Sequence, residues 1–135
     1  MSGYGGMAPV AVVVALALLE YLYFVYQVGR ARLRCGVPAP RTTGHEEFER
    51  YYRVQQNTLE QLVVFLPAIW IAGWYADVYA AAILGLGFVL GRAMYYRAYV
   101  NNPAGRGPGF ALGLAANAVL VITALVGAVA ALLPG

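Results

Sequence analysis

The sequence predicts an all-α integral membrane protein, a bundle of four helices that each cross the bilayer. Three observations predict it. Of 135 residues, 61% are apolar and only 11% are charged, against roughly a quarter charged in an ordinary soluble domain. The apolar residues gather in four runs, at about 7–28, 59–75, 79–94 and 110–133. All nine basic residues are arginines, confined to two stretches of the chain. A mean hydropathy of +0.65 leaves too little polar surface to cover a soluble domain of this size. The same balance excludes disorder, which needs low hydrophobicity and high charge. It also argues against a nucleic-acid partner despite the net charge of +3.

Helix one is expected over about 7–34, closed by Gly36, Pro38 and Pro40. No basic stretch precedes its apolar run and Arg30 and Arg32 end it, so a retained span is expected rather than a cleaved leader. Helix two is expected over about 43–76, because Thr43 and Glu46 have the capping-box spacing. Such a helix is about 50 Å long. That exceeds the roughly 30 Å of hydrocarbon, so its first turns must protrude. Helix three is expected over about 78–101, followed by a loop rich in Asn, Pro and Gly. Helix four is expected over about 109–133, which leaves one membrane domain across 1–135 and no room for a separate soluble one.

The arginines set the expected topology. Arg30, Arg32, Arg34, Arg41, Arg50 and Arg53 surround the first link, and Arg92, Arg97 and Arg106 lie near the third. The link at Asp77 and both chain ends carry none. Basic residues stay on the cytoplasmic side, so both arginine-bearing links are expected there and both termini outside.

Polar residues in or near lipid must face protein or a water-filled cavity. On helix two, Arg53, Asn57 and Glu60 fall within about 60° of one another, a stripe of cation, amide and anion. Gln55, Gln56 and Gln61 lie off that stripe. On helix three, Arg92, Tyr95 and Tyr99 share one side. The stripe has two readings, an Arg53–Glu60 pair that holds the bundle together or a site for a polar ligand. Glu20, in mid-span, has two as well: a buried inter-helix hydrogen bond, or the proton-coupled carboxylate of a small four-helix multidrug exporter. One histidine, His45, and one cysteine, Cys35, do not supply the three or four ligands of a metal site, and none is expected. Cys35 cannot form an internal disulfide.

The segment from Pro40 to Glu60 resembles the signature of the MAPEG family, the membrane-associated proteins in eicosanoid and glutathione metabolism. The family's Phe-Glu-Arg-x-x-Arg-x-Gln-x-Asn-x-x-Glu run appears here as Phe48, Glu49, Arg50, Arg53, Gln55, Asn57 and Glu60. Arg92 with Tyr95 and Tyr99, Arg106 opening helix four and Arg32 closing helix one are similar too. The resemblance covers nearly the whole chain and is closest to the branch of microsomal glutathione transferases and cysteinyl-leukotriene synthase. It implies a homotrimer that binds glutathione between neighbouring subunits near the cytoplasmic face, with no metal. It implies glutathione contacts from Arg32, Arg53, Gln55, Asn57, Glu60, Tyr95 and Tyr99, and thiol activation by Arg106. The second substrate it implies is an apolar electrophile or lipid arriving from the membrane, with lipid-hydroperoxide reduction as a side activity. A non-enzymatic, lipid-presenting member of the same fold is the alternative. Two departures stand out: Gln61 where leukotriene-forming relatives have Tyr, and Leu33 where they have a second Arg.

Overall fold

The computed structural model describes residues 6–134. The described residues are helical, with no strand among them. Helix α1 covers Ala8–Cys35, α2 Glu46–Tyr75, α3 Val78–Asn101 and α4 Gly107–Leu132, with a single 3-10 turn at Pro103–Arg106 between the last two. All four helices are long and apolar enough to cross a membrane, and the chain is a multi-pass membrane protein.

Local chemistry ends each helix. Gly36 closes α1 in the left-handed conformation at φ 67°, and the amide of Val37 returns to the carbonyl of Arg32, a glycine-dependent stop. The turn from α2 into α3 is tight because Asp77 caps α3, its carboxylate accepting from the amide of Ala80 at 2.7 Å. Helix α2 starts at Glu46, three residues later than the Thr43–Glu46 spacing suggests. The chain turns at Gly44, with φ 118°, which separates Thr43 from the helix. His45 takes the cap position without a side-chain bond, and Glu49 reaches back to the amide of Gly44 at 3.1 Å. Glu46, Glu47 and Glu49 still place negative charge in the first turn, where the helix dipole favours it. Helix α4 begins at Gly107 rather than near Gly109, since Pro108 is well suited to a first helical turn.

The bundle core is built from small and aromatic residues. Val10, Val13 and Ala17 of α1, Phe65, Ile69 and Ala72 of α2, Ala81 and Phe88 of α3, and Leu120 of α4 are at most 3% exposed. Phe65 and Phe88 stack with centroids 4.1 Å apart. Outside the core, large apolar side chains such as Leu19, Leu22, Ile83 and Leu125 are more than 60% exposed or close to it, as lipid-facing surfaces require. Lipid tails are as apolar as leucine, so helix association depends on close van der Waals packing and small residues. Gly91 shows it: a Cβ there would sit 2.6 Å from the backbone nitrogen of Gly113, in the α3–α4 contact.

Both arginine-bearing links lie at one end of the bundle, where the Arg50 guanidinium donates to the carbonyl of Asn101 at 3.4 Å. At the other end, Gly127 of α4 packs on the backbone of Tyr75.

Candidate functional site

A cavity of about 920 Å³ opens at the arginine-rich end, between the first turns of α2, the last turns of α3 and the 3-10 turn into α4. This lies within the roughly 300–1,000 Å³ of small-molecule sites. Helix α2 lines it with Arg53, Gln56, Asn57 and Glu60. These four follow an i, i+3, i+4, i+7 spacing, so they stack along one helical face. Helix α3 contributes Tyr95 and Tyr99, one turn apart with centroids 5.4 Å from each other. The start of α4 contributes Phe110, 6.1 Å from the Tyr95 ring.

Arg106 ends the 3-10 turn and faces the same cavity. The turn is held from both sides. Asn102 accepts from the amide of Ala104 at 3.2 Å, and Arg106 itself donates to the carbonyl of Pro103 at 2.8 Å. The close glycine contact of α3 and α4 allows Tyr95 and the 3-10 turn to meet over the same space. A smaller polar cleft continues outward, sharing Tyr52, Arg53 and Tyr99 and bordered by Thr42, Glu46, Glu49 and Arg50.

The polar groups of the cavity are not spent on one another. Arg53 and Glu60 do not close an ion pair; the salt bridges among the described residues are Arg34–Glu47 and Arg50–Glu46, neither of them between residues that line the cavity. The carbonyl oxygen of Asn57 is buried with no hydrogen-bond partner. A buried, unpaired acceptor costs about 1–3 kcal/mol, a cost that a donor on a bound ligand would relieve. The site therefore presents two guanidinium groups, one carboxylate, an orphaned amide oxygen and three phenols around a space wide enough for a small peptide.

Six of the eight residues implied by the resemblance thus meet in one chain: Arg53, Asn57, Glu60, Tyr95, Tyr99 and Arg106. Two do not. The Gln55 side chain turns toward α1 and donates to the Tyr21 hydroxyl at 3.1 Å. It lies about 200° around the helix from Arg53 and cannot reach the same face. The Arg32 guanidinium lies 4.7 Å from the centre of the Phe48 ring and donates to the carbonyls of Val37 and Arg41. It borders a separate apolar cleft with Tyr26, Leu33 and Pro38.

Gln56 corrects the sequence reading in the other direction. It is set off the stripe there, yet it lines the cavity; its position three residues after Arg53 and four before Glu60, the spacing of one helical face, is the available signal. Tyr52 and Phe110 line it as well and carried no pattern of their own. Gln61 points to α4, where Asn117 donates to both its backbone and side-chain oxygens at 3.2 Å.

The chain matches the MAPEG family over residues 10–126. It is 50% identical over 115 residues to an uncharacterized protein of Synechocystis, covering 85% of this chain and 84% of that one. It is 39% identical over 123 residues to microsomal glutathione S-transferase 2 of Mus musculus, covering 91% and 84%. It is 37% identical over 128 residues to leukotriene C4 synthase of Bos taurus, covering 95% and 85%.

Proposed function

The chain belongs to the MAPEG family, and on that premise we propose that it is a membrane-bound glutathione transferase. Its substrates are then glutathione and an apolar electrophile drawn from the bilayer. The observation that carries this reading is the charge layout of the cavity. Glutathione presents two carboxylates, one ammonium and a thiol, and the cavity offers Arg53 and Arg106, Glu60, and the unpartnered oxygen of Asn57. Relatives named for glutathione and leukotriene C4 chemistry match nearly the whole chain, which supports the same reading.

Arg53 takes a carboxylate in a bidentate fashion, the geometry for which a guanidinium is suited. Glu60 pairs with the ammonium, and Asn57 accepts from it or from a peptide N–H. Tyr95 and Tyr99 donate hydrogen bonds to the peptide. Arg106 sits at the sulfur, where its positive charge favours the thiolate over the thiol. Arg106 keeps its own proton; the thiol proton leaves with water through the polar cleft. The thiolate then attacks the electrophilic carbon; the C–S bond forms, the bond from that carbon to the leaving group breaks, and the leaving group departs with the electron pair as an anion. Reduction of a lipid hydroperoxide starts from the same thiolate and is the proposed side activity.

The proposed assembly is a homotrimer with the cavity at the cytoplasmic face and both termini outside. The separation of the eight residues into a cavity set and the pair Arg32 and Gln55 supports a site shared between subunits, the pair being contributed to a neighbour's cavity. Calorimetry on detergent-solubilised protein tests the binding step. Wild type is expected to take up glutathione, and Arg53→Ala to bind it roughly 10–100-fold more weakly, the loss of a charge-assisted bidentate contact. Conjugation of glutathione to a chlorinated nitrobenzene tests the chemistry and separates an enzyme from a lipid-presenting relative. No glutathione uptake by folded wild-type protein would sink the reading.

A further inference from the structure

Arg92 is the largest fully buried side chain, 1% exposed in the middle of the bundle, and the chemistry above does not use it. Its Nη2 and Nε both donate to the hydroxyl of Thr58 on α2, at 2.8 and 3.2 Å. Thr58 in turn donates to the carbonyl of Val54 at 2.7 Å, so its oxygen is oriented to accept from Arg92. The guanidinium carbon lies 4.3 Å from the centre of the Tyr95 ring. On the α4 side its stem meets Gly113, where an added Cβ would lie 3.6 Å from it.

The titratable group in contact with Arg92 is Tyr95 of its own helix. Thr58 from α2 and Gly113 from α4 are neutral. Among the described residues Glu20 of α1 makes no ion pair with Arg92. A buried cation is costly, and the groups set against this one are the Thr58 hydroxyl and the face of the Tyr95 ring. Tyr95 meanwhile is 5% exposed and lies in the fields of Arg53, Arg106 and Tyr99, all cavity residues. One face of its ring is therefore set by Arg92, and its other neighbours are the binding site.

We propose that Arg92 is a positioning residue of the cavity: clamped by Thr58, it props the Tyr95 ring in the place from which its hydroxyl meets the bound peptide. The inference rests on the glutathione reading of the cavity.

The test is a set of double-mutant cycles on the full-length protein, read by glutathione calorimetry, by KM and kcat for conjugation, and by Tm. Arg92→Gln and Thr58→Val are expected to weaken glutathione binding roughly ten-fold or more, with KM for glutathione rising more than kcat falls. Arg92→Lys does not restore affinity, because an ammonium is a point charge with no plane to lie on the ring. In a Tyr95→Leu background, Arg92→Gln still lowers Tm but removes no further glutathione affinity.

If Arg92→Gln does not fold, the near-isosteric Thr58→Val carries the test. Wild-type affinity in folded Thr58→Val and Arg92→Gln proteins overturns the inference. So does an Arg92→Gln effect of equal size with and without the Tyr95 ring. Either result leaves glutathione binding by the wild type intact. A wild-type protein that binds no glutathione removes the functional reading and this inference together.

Discussion

Replacing Arg106 by alanine is expected to lower kcat for glutathione conjugation by roughly 10²–10³-fold, the usual loss when one group that stabilises reactive negative charge is removed. Affinity for glutathione is expected to change only a few-fold, because Arg106 is assigned to the sulfur, while Arg53 holds a carboxylate and Glu60 the ammonium. The sign of the pH effect follows. A cation beside the sulfur favours the thiolate, so its removal raises the pH at which bound glutathione ionises. The alanine variant should then regain rate as the solution is made alkaline, while wild type is already on its plateau. Arg106→Lys keeps the charge without the planar fork and should fall between the two. Stopped-flow absorbance of the thiolate on mixing with glutathione, together with kcat against pH, measures both effects. A variant that retains full kcat and an unshifted profile would show that Arg106, although it faces the cavity, does not touch the reacting sulfur.

The second large effect is structural. Gly91→Ala is expected to destabilise the folded protein by about 3 kcal/mol, although alanine is the better helix former by about 1 kcal/mol. The new Cβ would lie 2.6 Å from the nitrogen of Gly113 and 2.9 Å from its Cα. Both are backbone atoms, so no rotamer change relieves the clash and α3 must move away from α4. Gly87, one turn earlier on α3, is the control: its added Cβ would meet the Cβ of Ala116 at 3.8 Å, an ordinary contact. Gly87→Ala should therefore be neutral or slightly stabilising. Tm and the monodisperse yield in detergent read the difference. Because the same contact places Tyr95 near Phe110 and the 3-10 turn, Gly91→Ala should also lose glutathione binding in whatever fraction remains folded. Equal stability of the two variants would mean that the helices separate at little cost.

Much of this was legible in the sequence. Lipid demands long apolar helices with satisfied backbones, so four apolar runs and a low charge content leave few alternatives to a four-helix membrane bundle. The helical period of 3.6 residues places Arg53, Asn57 and Glu60 on one face, and the three do line one cavity. Other features could not be read in the same way. Thr43 and Glu46 have the right spacing for a cap, but Gly44 turns the chain between them. Arg32 and Gln55 carry the same family resemblance as Arg53, yet their side chains go to other surfaces. Gln56, Tyr52 and Phe110 reach the cavity without any pattern to announce them.

The amino-acid sequence by itself determined the number of spans, the end of the bundle that gathers the arginines, and the face on which each helix carries its polar groups. Those are properties of single helices, set by periodicity and by the solvent around them. Only the tertiary structure decided which faces meet. The depth at which Gly91 seats against Gly113, the support of Tyr95 by a buried Arg92, and the meeting of Arg53 with Arg106 all depend on how far each helix is rotated and shifted against its neighbours. Close packing between helices sets that rotation, atom against atom, and a pattern along one helix holds no record of it.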